Sequence, residues 1–157
     1  GSGKSTIGKG VASSLGVPFR DTDLIIEDLE KMAVSQIFID KGEDYFRAVE
    51  KKVLRAELLS DGAVLALGGG APISLDAQSA LKASAAPVIY LDISLANVAP
   101  RIGFNRDRPL LLHNPRGQWQ TLMEVRRPIY ESIANFIIDV NGKSQKEIVN
   151  EVLEVLA

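Results

Sequence analysis

The chain has 157 residues, 46% apolar and 24% charged, with 18 Lys and Arg against 20 Asp and Glu for a net charge of −2. That length and balance describe one globular domain and exclude both a disordered chain and a strongly basic nucleic-acid binder. The absence of cysteine excludes a disulfide framework and thiol catalysis. No apolar run nears the ~18–20 residues of a membrane span and no signal peptide is visible, so no membrane partner is expected and the expected location is cytoplasmic.

Helix and strand patterns alternate along the chain. Ser5 to Leu15 reads as a helix closed by Gly16. Pro18 to Asp21 reads as a short strand, and Asp23 to Lys31 as a helix capped by Asp23 or Thr22. A short helix over Ser35 to Lys41 stops at Gly42. Glu43 to Leu59 is a longer helix whose apolar stripe is Phe46, Val49, Val53 and Ala56. Ala63 to Leu67 and Pro87 to Leu91 are continuous apolar runs, as expected of strands buried on both faces of a parallel sheet. Helices are expected over Ser74 to Ala83 and Ser94 to Gly103. Phe104 to Gly117 reads as a long, lid-like loop. Gln118 to Ala134 is a helix interrupted near Pro128, Phe136 to Val140 a strand, Asn141-Gly142 a turn and Ser144 to Ala157 the closing helix. Strands alternating with helices predict an α/β fold with a largely parallel sheet.

Gly3-Lys4-Ser5-Thr6 supplies the second half of the phosphate-loop pattern G-x-x-x-x-G-K-[ST]. Small residues let backbone N–H groups curl around phosphate oxygens, and the helix that follows points its positive end at the anion. Lys4 would meet the β- and γ-phosphates and Ser5 would offer a hydroxyl to Mg²⁺.

Asp21-Thr22-Asp23 ends the next strand, on the side where parallel sheets bind ligands. One carboxylate there can hold Mg²⁺ through water and the other can accept the proton of an attacking hydroxyl. A helix N-cap is a competing use of either. Gly68-Gly69-Gly70 follows the second apolar strand. Three glycines cost backbone entropy, which close approach to a ligand explains better than a sharp turn does. Arg47, Arg101, Arg106, Arg108, Arg126 and Arg127 are candidates for a closing lid or for gripping a carboxylate. The single histidine, His113, is expected to be exposed, and Trp119 and Tyr130 to pack a helix.

Taken together, the sequence resembles the shikimate kinases, small P-loop kinases of the nucleoside-monophosphate-kinase-like fold. The likeness covers nearly the whole chain. It rests on Gly3-Lys4-Ser5-Thr6-Ile7-Gly8, Asp21-Thr22-Asp23, Phe46-Arg47 with Glu50, Leu67-Gly68-Gly69-Gly70-Ala71, Arg108-Pro109-Leu110-Leu111, and Arg126 with Pro128 and Tyr130. The first of these is shared by many nucleotide-binding proteins; the others, in this order and spacing, are specific.

The resemblance implies transfer of the ATP γ-phosphoryl to the 3-hydroxyl of shikimate, on the route to chorismate and aromatic amino acids. It implies that Lys4, Asp23 and Arg108 are catalytic. Gly1, Ser2, Gly3, Lys4, Ser5, Thr6, Arg101, Arg108 and Lys143 would bind ATP, with Mg²⁺ on Ser5 and, through water, on Asp21. Asp23, Arg47, Gly68, Gly69, Gly70, Arg126, Phe38, Phe46 and Glu50 would form the shikimate pocket, Glu50 by positioning Arg47. The implied architecture is a three-layer α/β sandwich with strand order 2-3-1-4-5 and a lid at about 103–117, in a monomer whose partners are ATP and shikimate. The family's leading, central strand is absent. The expectation is therefore a single domain over 1–157, truncated at its N-terminus, with four strands around a central gap. A gluconate-type kinase and a non-catalytic binding protein of the same family are the alternatives.

Overall fold

A computed structural model describes residues 3–93 and 115–157. Its elements are α1 (Lys4–Leu15), β1 (Phe19–Asp21), α2 (Thr22–Glu30), α3 (Val34–Lys41), α4 (Glu43–Leu59), β2 (Val64–Ala66), α5 (Leu75–Ala83), β3 (Ile89–Asp92), α6 (Pro115–Ile133), β4 (Phe136–Asp139) and α7 (Gln145–Leu156). Among the described residues no helix is long and apolar enough to cross a membrane.

The strands form two parallel pairs, β1 with β2 and β3 with β4. Both pairs serve one core. Ile7 and Val11 of α1 cluster with Ile93, Ile138, Val140, Ile148 and Val152, and Val64 of β2 and Leu91 of β3 pack on that cluster. A second cluster, Ile26, Ile37, Phe46 and Val53, ties α2, α3 and α4 together. A third, Leu54, Ala77, Leu81 and Ile133, joins α4, α5 and α6.

Local signals explain most of the boundaries. Gly16 closes α1 in the left-handed region, φ 70°. Ser144 caps α7 through a reciprocal capping box with Glu147, an arrangement worth about 1 kcal/mol to the helix.

Five expectations are corrected. The cap of α2 is Asp21, whose side chain accepts from the N–H groups of Asp23 and Leu24. As the last residue of β1 it has the extended backbone an N-cap needs, which Thr22 and Asp23, inside the helix, do not. On α4, Ala56 is exposed, and the buried face instead carries Phe46, Glu50, Val53 and Leu54. The strands β2 and β3 are not buried throughout: Ala66 is buried, whereas Val64, Leu65 and Ile89 to Asp92 are half-buried. Residues 115–117, expected in the lid, open α6, where proline suits a first turn that needs no N–H. Pro128 lies inside α6 without ending it. The expected helix over Ser94 to Gly103 and the rest of the 103–117 lid, with Arg101, Arg106, Arg108 and His113, lie outside the described residues, as do Gly1 and Ser2.

Candidate active site

Register builds the site. Asp21 pairs with Ala66 in the parallel ladder, so Asp21-Thr22-Asp23 and Gly68-Gly69-Gly70 leave adjacent strands at the same end. The buried Thr22 Oγ1 accepts the Gly68 N–H at 3.0 Å and joins the two segments.

One side of this junction suits a polyphosphate. Gly3 caps α1 with φ 80°, a conformation open to glycine, and no acid occupies the first turn, where Lys4, Ser5 and Thr6 stand. Ser5 Oγ donates to Asp21 Oδ2 at 3.0 Å, while Asp21 Oδ1 accepts the Asp23 N–H at 2.8 Å. Asp21 is thus both helix cap and partner of the Ser5 hydroxyl. A hydroxyl and a carboxylate converging beside a helix N-terminus form a hard-oxygen donor set that fits Mg²⁺, which needs one or two protein oxygens besides phosphate and water.

The other side is organised by the three glycines. A Cβ on Gly68 would stand 2.7 Å from Asp23 Oδ1, and one on Gly69 would stand 3.1 Å from Arg126 Nη1. A Cβ on Gly70 would meet the Arg47 guanidinium closer still. Side chains from α2, α6 and α4 therefore lie over three successive glycines, so close that a Cβ at any of them would make its neighbour shift.

Arg47 donates to Glu50 Oε1 at 2.8 Å and to Glu43 at 3.4 Å. Its guanidinium carbon sits 5.8 Å from the Phe38 ring and 5.3 Å from the Phe46 ring, and the two rings lie 4.8 Å apart. Glu50 is 4% exposed. Burial pushes its carboxyl above the ordinary range, the Arg47 charge and hydrogen bond oppose that rise, and the Asp23 and Arg126 charges also reach it. Two arginines and two carboxylates thus form one charged cluster over the glycines, able to grip an anionic group and to accept hydrogen bonds from hydroxyls.

Arg126 and Arg127, adjacent in sequence, diverge. Arg126 reaches Gly69, whereas Arg127 donates to Asp92 at the end of β3. The Tyr130 O–H, four residues after Arg126, donates to the Gly69 carbonyl. Lys143, in the turn after β4, is held by both Glu151 oxygens at 2.9 Å.

The structure therefore brings together Asp23, Arg47, Glu50, Arg126, Phe38, Phe46 and the glycines, and separately Gly3 to Thr6 with Asp21. Two residues have contacts other than those expected: Thr22, a candidate cap, accepts the Gly68 N–H, and Tyr130, expected to pack a helix, also donates to the Gly69 carbonyl. A threonine between two strand-end acids, and a tyrosine one helical turn beyond an arginine, were the signals available.

The family model for shikimate kinase matches residues 1–157. The chain is 41% identical to the shikimate kinase of Salinispora arenicola over 157 residues, covering all of this chain and 93% of that protein. It is 41% identical to that of Streptomyces avermitilis over 156 residues, 99% of this chain and 90% of that protein. Among solved structures, the shikimate kinase of Acinetobacter baumannii in complex with shikimate superposes with a TM-score of 0.94 at 31% identity, covering 99% of this chain and 87% of that one. The Aquifex aeolicus shikimate kinase gives 0.85 at 34% identity, covering 99% and 90%.

Proposed function

The chain belongs to the shikimate kinase family, and from that premise we propose that it transfers the γ-phosphoryl of ATP to the 3-hydroxyl of shikimate, giving shikimate 3-phosphate and ADP. The observation that carries the reading is the glycine triplet with Asp23, Arg126 and Arg47 on its three Cα atoms. It supports an acceptor with a carboxylate at one end and hydroxyls at the other.

In this reading Arg47 and Arg126 hold the shikimate carboxylate, Phe38 and Phe46 line the ring, and the backbone at Gly68, Gly69 and Gly70 shapes the floor. Glu50 holds Arg47 in place. Asp23 accepts a hydrogen bond from the attacking hydroxyl and takes its proton as the bond to phosphorus forms. Catalysis of this transfer is mainly positioning and charge neutralisation. Lys4 at the head of α1 and Arg108 neutralise the phosphates; Gly1, Ser2, Gly3 and Thr6 surround them, and Arg101 and Lys143 serve the adenine end. Ser5 and Asp21 would hold Mg²⁺, which when bound offsets negative charge on ATP. The remaining architecture is proposed as a single three-layer domain of strand order 2-3-1-4-5 with a lid ending before α6, working as a cytoplasmic monomer.

The test is the product. Incubation with Mg-ATP and shikimate is expected to give one phosphate ester, on C3, by phosphorus and proton NMR. An ester on another carbon would overturn the placement of Asp23 as the base.

A further inference from the structure

Three glycines in a row make a poor platform. Without Cβ atoms the segment samples a wide range of backbone angles, and it has no side chains with which to anchor itself. Yet Asp23, Arg126 and Arg47 are located by contact with it. Something else must fix the triplet.

Backbone bonds from the Ala71 N–H to the Gly68 carbonyl and from the Ile73 N–H to the Gly70 carbonyl close the turn, and two hydroxyls from other elements tie it to the rest of the fold. Thr22 Oγ1, fully buried, accepts the Gly68 N–H at 3.0 Å. The Tyr130 O–H donates to the Gly69 carbonyl at 2.5 Å. One bond ties the segment to the start of α2 and the other to α6. The α6 end is itself held: Arg127 and the Tyr90 O–H both reach Asp92 Oδ1, and the Tyr90 and Tyr130 ring centroids are 5.2 Å apart. Tyr130 lies one turn beyond Arg126 on the same helix, so the bond that fixes Gly69 also sets where Arg126 stands over it. Thr22 lies next to Asp23, so the bond that fixes Gly68 also sets the carboxylate that covers it.

We infer that Thr22 and Tyr130 are positioning residues for the acceptor. Their hydroxyls clamp Gly68 and Gly69 so that Asp23, Arg126 and Arg47 keep the spacing an acidic polyol requires. The bonds described for these hydroxyls go to Gly68 and Gly69, whereas on the phosphate side Ser5 bonds Asp21. The inference rests on the acceptor reading above and adds residues to it.

The experiment compares Thr22→Val, Thr22→Ser, Tyr130→Phe and the double variant Thr22→Val/Tyr130→Phe with the parent enzyme. It records KM for shikimate, KM for ATP, kcat and thermal midpoint. Loss of each hydroxyl is expected to raise the shikimate KM by about two- to tenfold, the worth of one neutral hydrogen bond, with the ATP KM within about twofold of the parent. Thr22→Ser, which keeps the acceptor oxygen, is expected to restore the shikimate KM. Equal movement of both KM values, or a lowered midpoint with neither KM moved, overturns the clamp. Should Thr22→Val fail to fold, Tyr130→Phe decides alone, because Tyr130 is only half-buried. Parent turnover on shikimate separates the two readings: its absence sinks the acceptor, whereas normal parent turnover with unmoved variant ratios sinks only the clamp.

Discussion

Arg47 donates to the buried Glu50 at 2.8 Å while its guanidinium covers the Cα of Gly70. The cation is thus aimed by one neighbour and stopped by the other. Residues 47 and 50 lie one turn apart on α4, and Phe46, which precedes Arg47, anchors that turn in the core. Stability and substrate grip meet in this ion pair, and they can be separated.

Arg47→Ala is expected to weaken shikimate far more than ATP. It also leaves Glu50 buried without its cation, at a cost of about 1–3 kcal/mol; the low end applies because the Arg47 side chain is 31% exposed and partly screened. The double variant Arg47→Ala/Glu50→Gln should recover much of the thermal midpoint and none of the shikimate affinity. Recovery of both, in calorimetry and steady-state kinetics, would remove Arg47 from the carboxylate grip.

Glu50 also sets a pH dependence. Burial raises its carboxyl above the ordinary 4.5, Arg47 only partly offsetting this. The folded state then holds the proton at a pH where the unfolded chain has released it. The group's contribution to stability is fully present below about 4.5 and is lost as pH rises through the folded value. The thermal midpoint of the parent minus that of Glu50→Gln should therefore fall as pH rises above 4.5, where a depressed carboxylate would leave it level.

Single Cβ atoms should discriminate the glycines. Gly68→Ala pushes on Asp23 and is expected to lower kcat, by up to about a hundredfold for a displacement near 1 Å. Gly70→Ala pushes on Arg47 and is expected to raise the shikimate KM more than it lowers kcat. Identical kinetic profiles for the two variants would contradict the assignment of separate side chains to separate glycines.

Asp23→Asn keeps the side-chain volume and removes the base. Turnover should drop by about 10²–10⁴, with nucleotide affinity near normal because Asp21, not Asp23, caps α2 and meets Ser5. Loss of ATP binding in a titration would make Asp23 a structural residue instead.

Much of this was legible in the sequence, because its signals are local. The glycine at the end of α1, the apolar runs of β2 and β3 and the serine before α7 act within a turn or two of themselves, and each element was found there. The acceptor pocket was legible only through spaced motifs, since Asp23, Arg47, Gly70 and Arg126 meet by tertiary folding. What escaped was decided by neighbours remote in the chain. Thr22 matters because Gly68, 46 residues away, offers it an N–H. Tyr130 matters because Gly69, 61 residues away, offers a carbonyl. Which of Asp21, Thr22 and Asp23 caps α2 was left open by the sequence, because strand and helix abut with no intervening loop and the last strand residue serves both.

The central claim is that the Asp23, Arg47 and Arg126 pocket accepts shikimate for phosphorylation. The most direct measurement is ADP release from Mg-ATP with shikimate, with gluconate and with no acceptor. The account predicts release that depends on shikimate and stays at background with gluconate or no acceptor. Equal release under all three conditions, or release driven by gluconate, would contradict it.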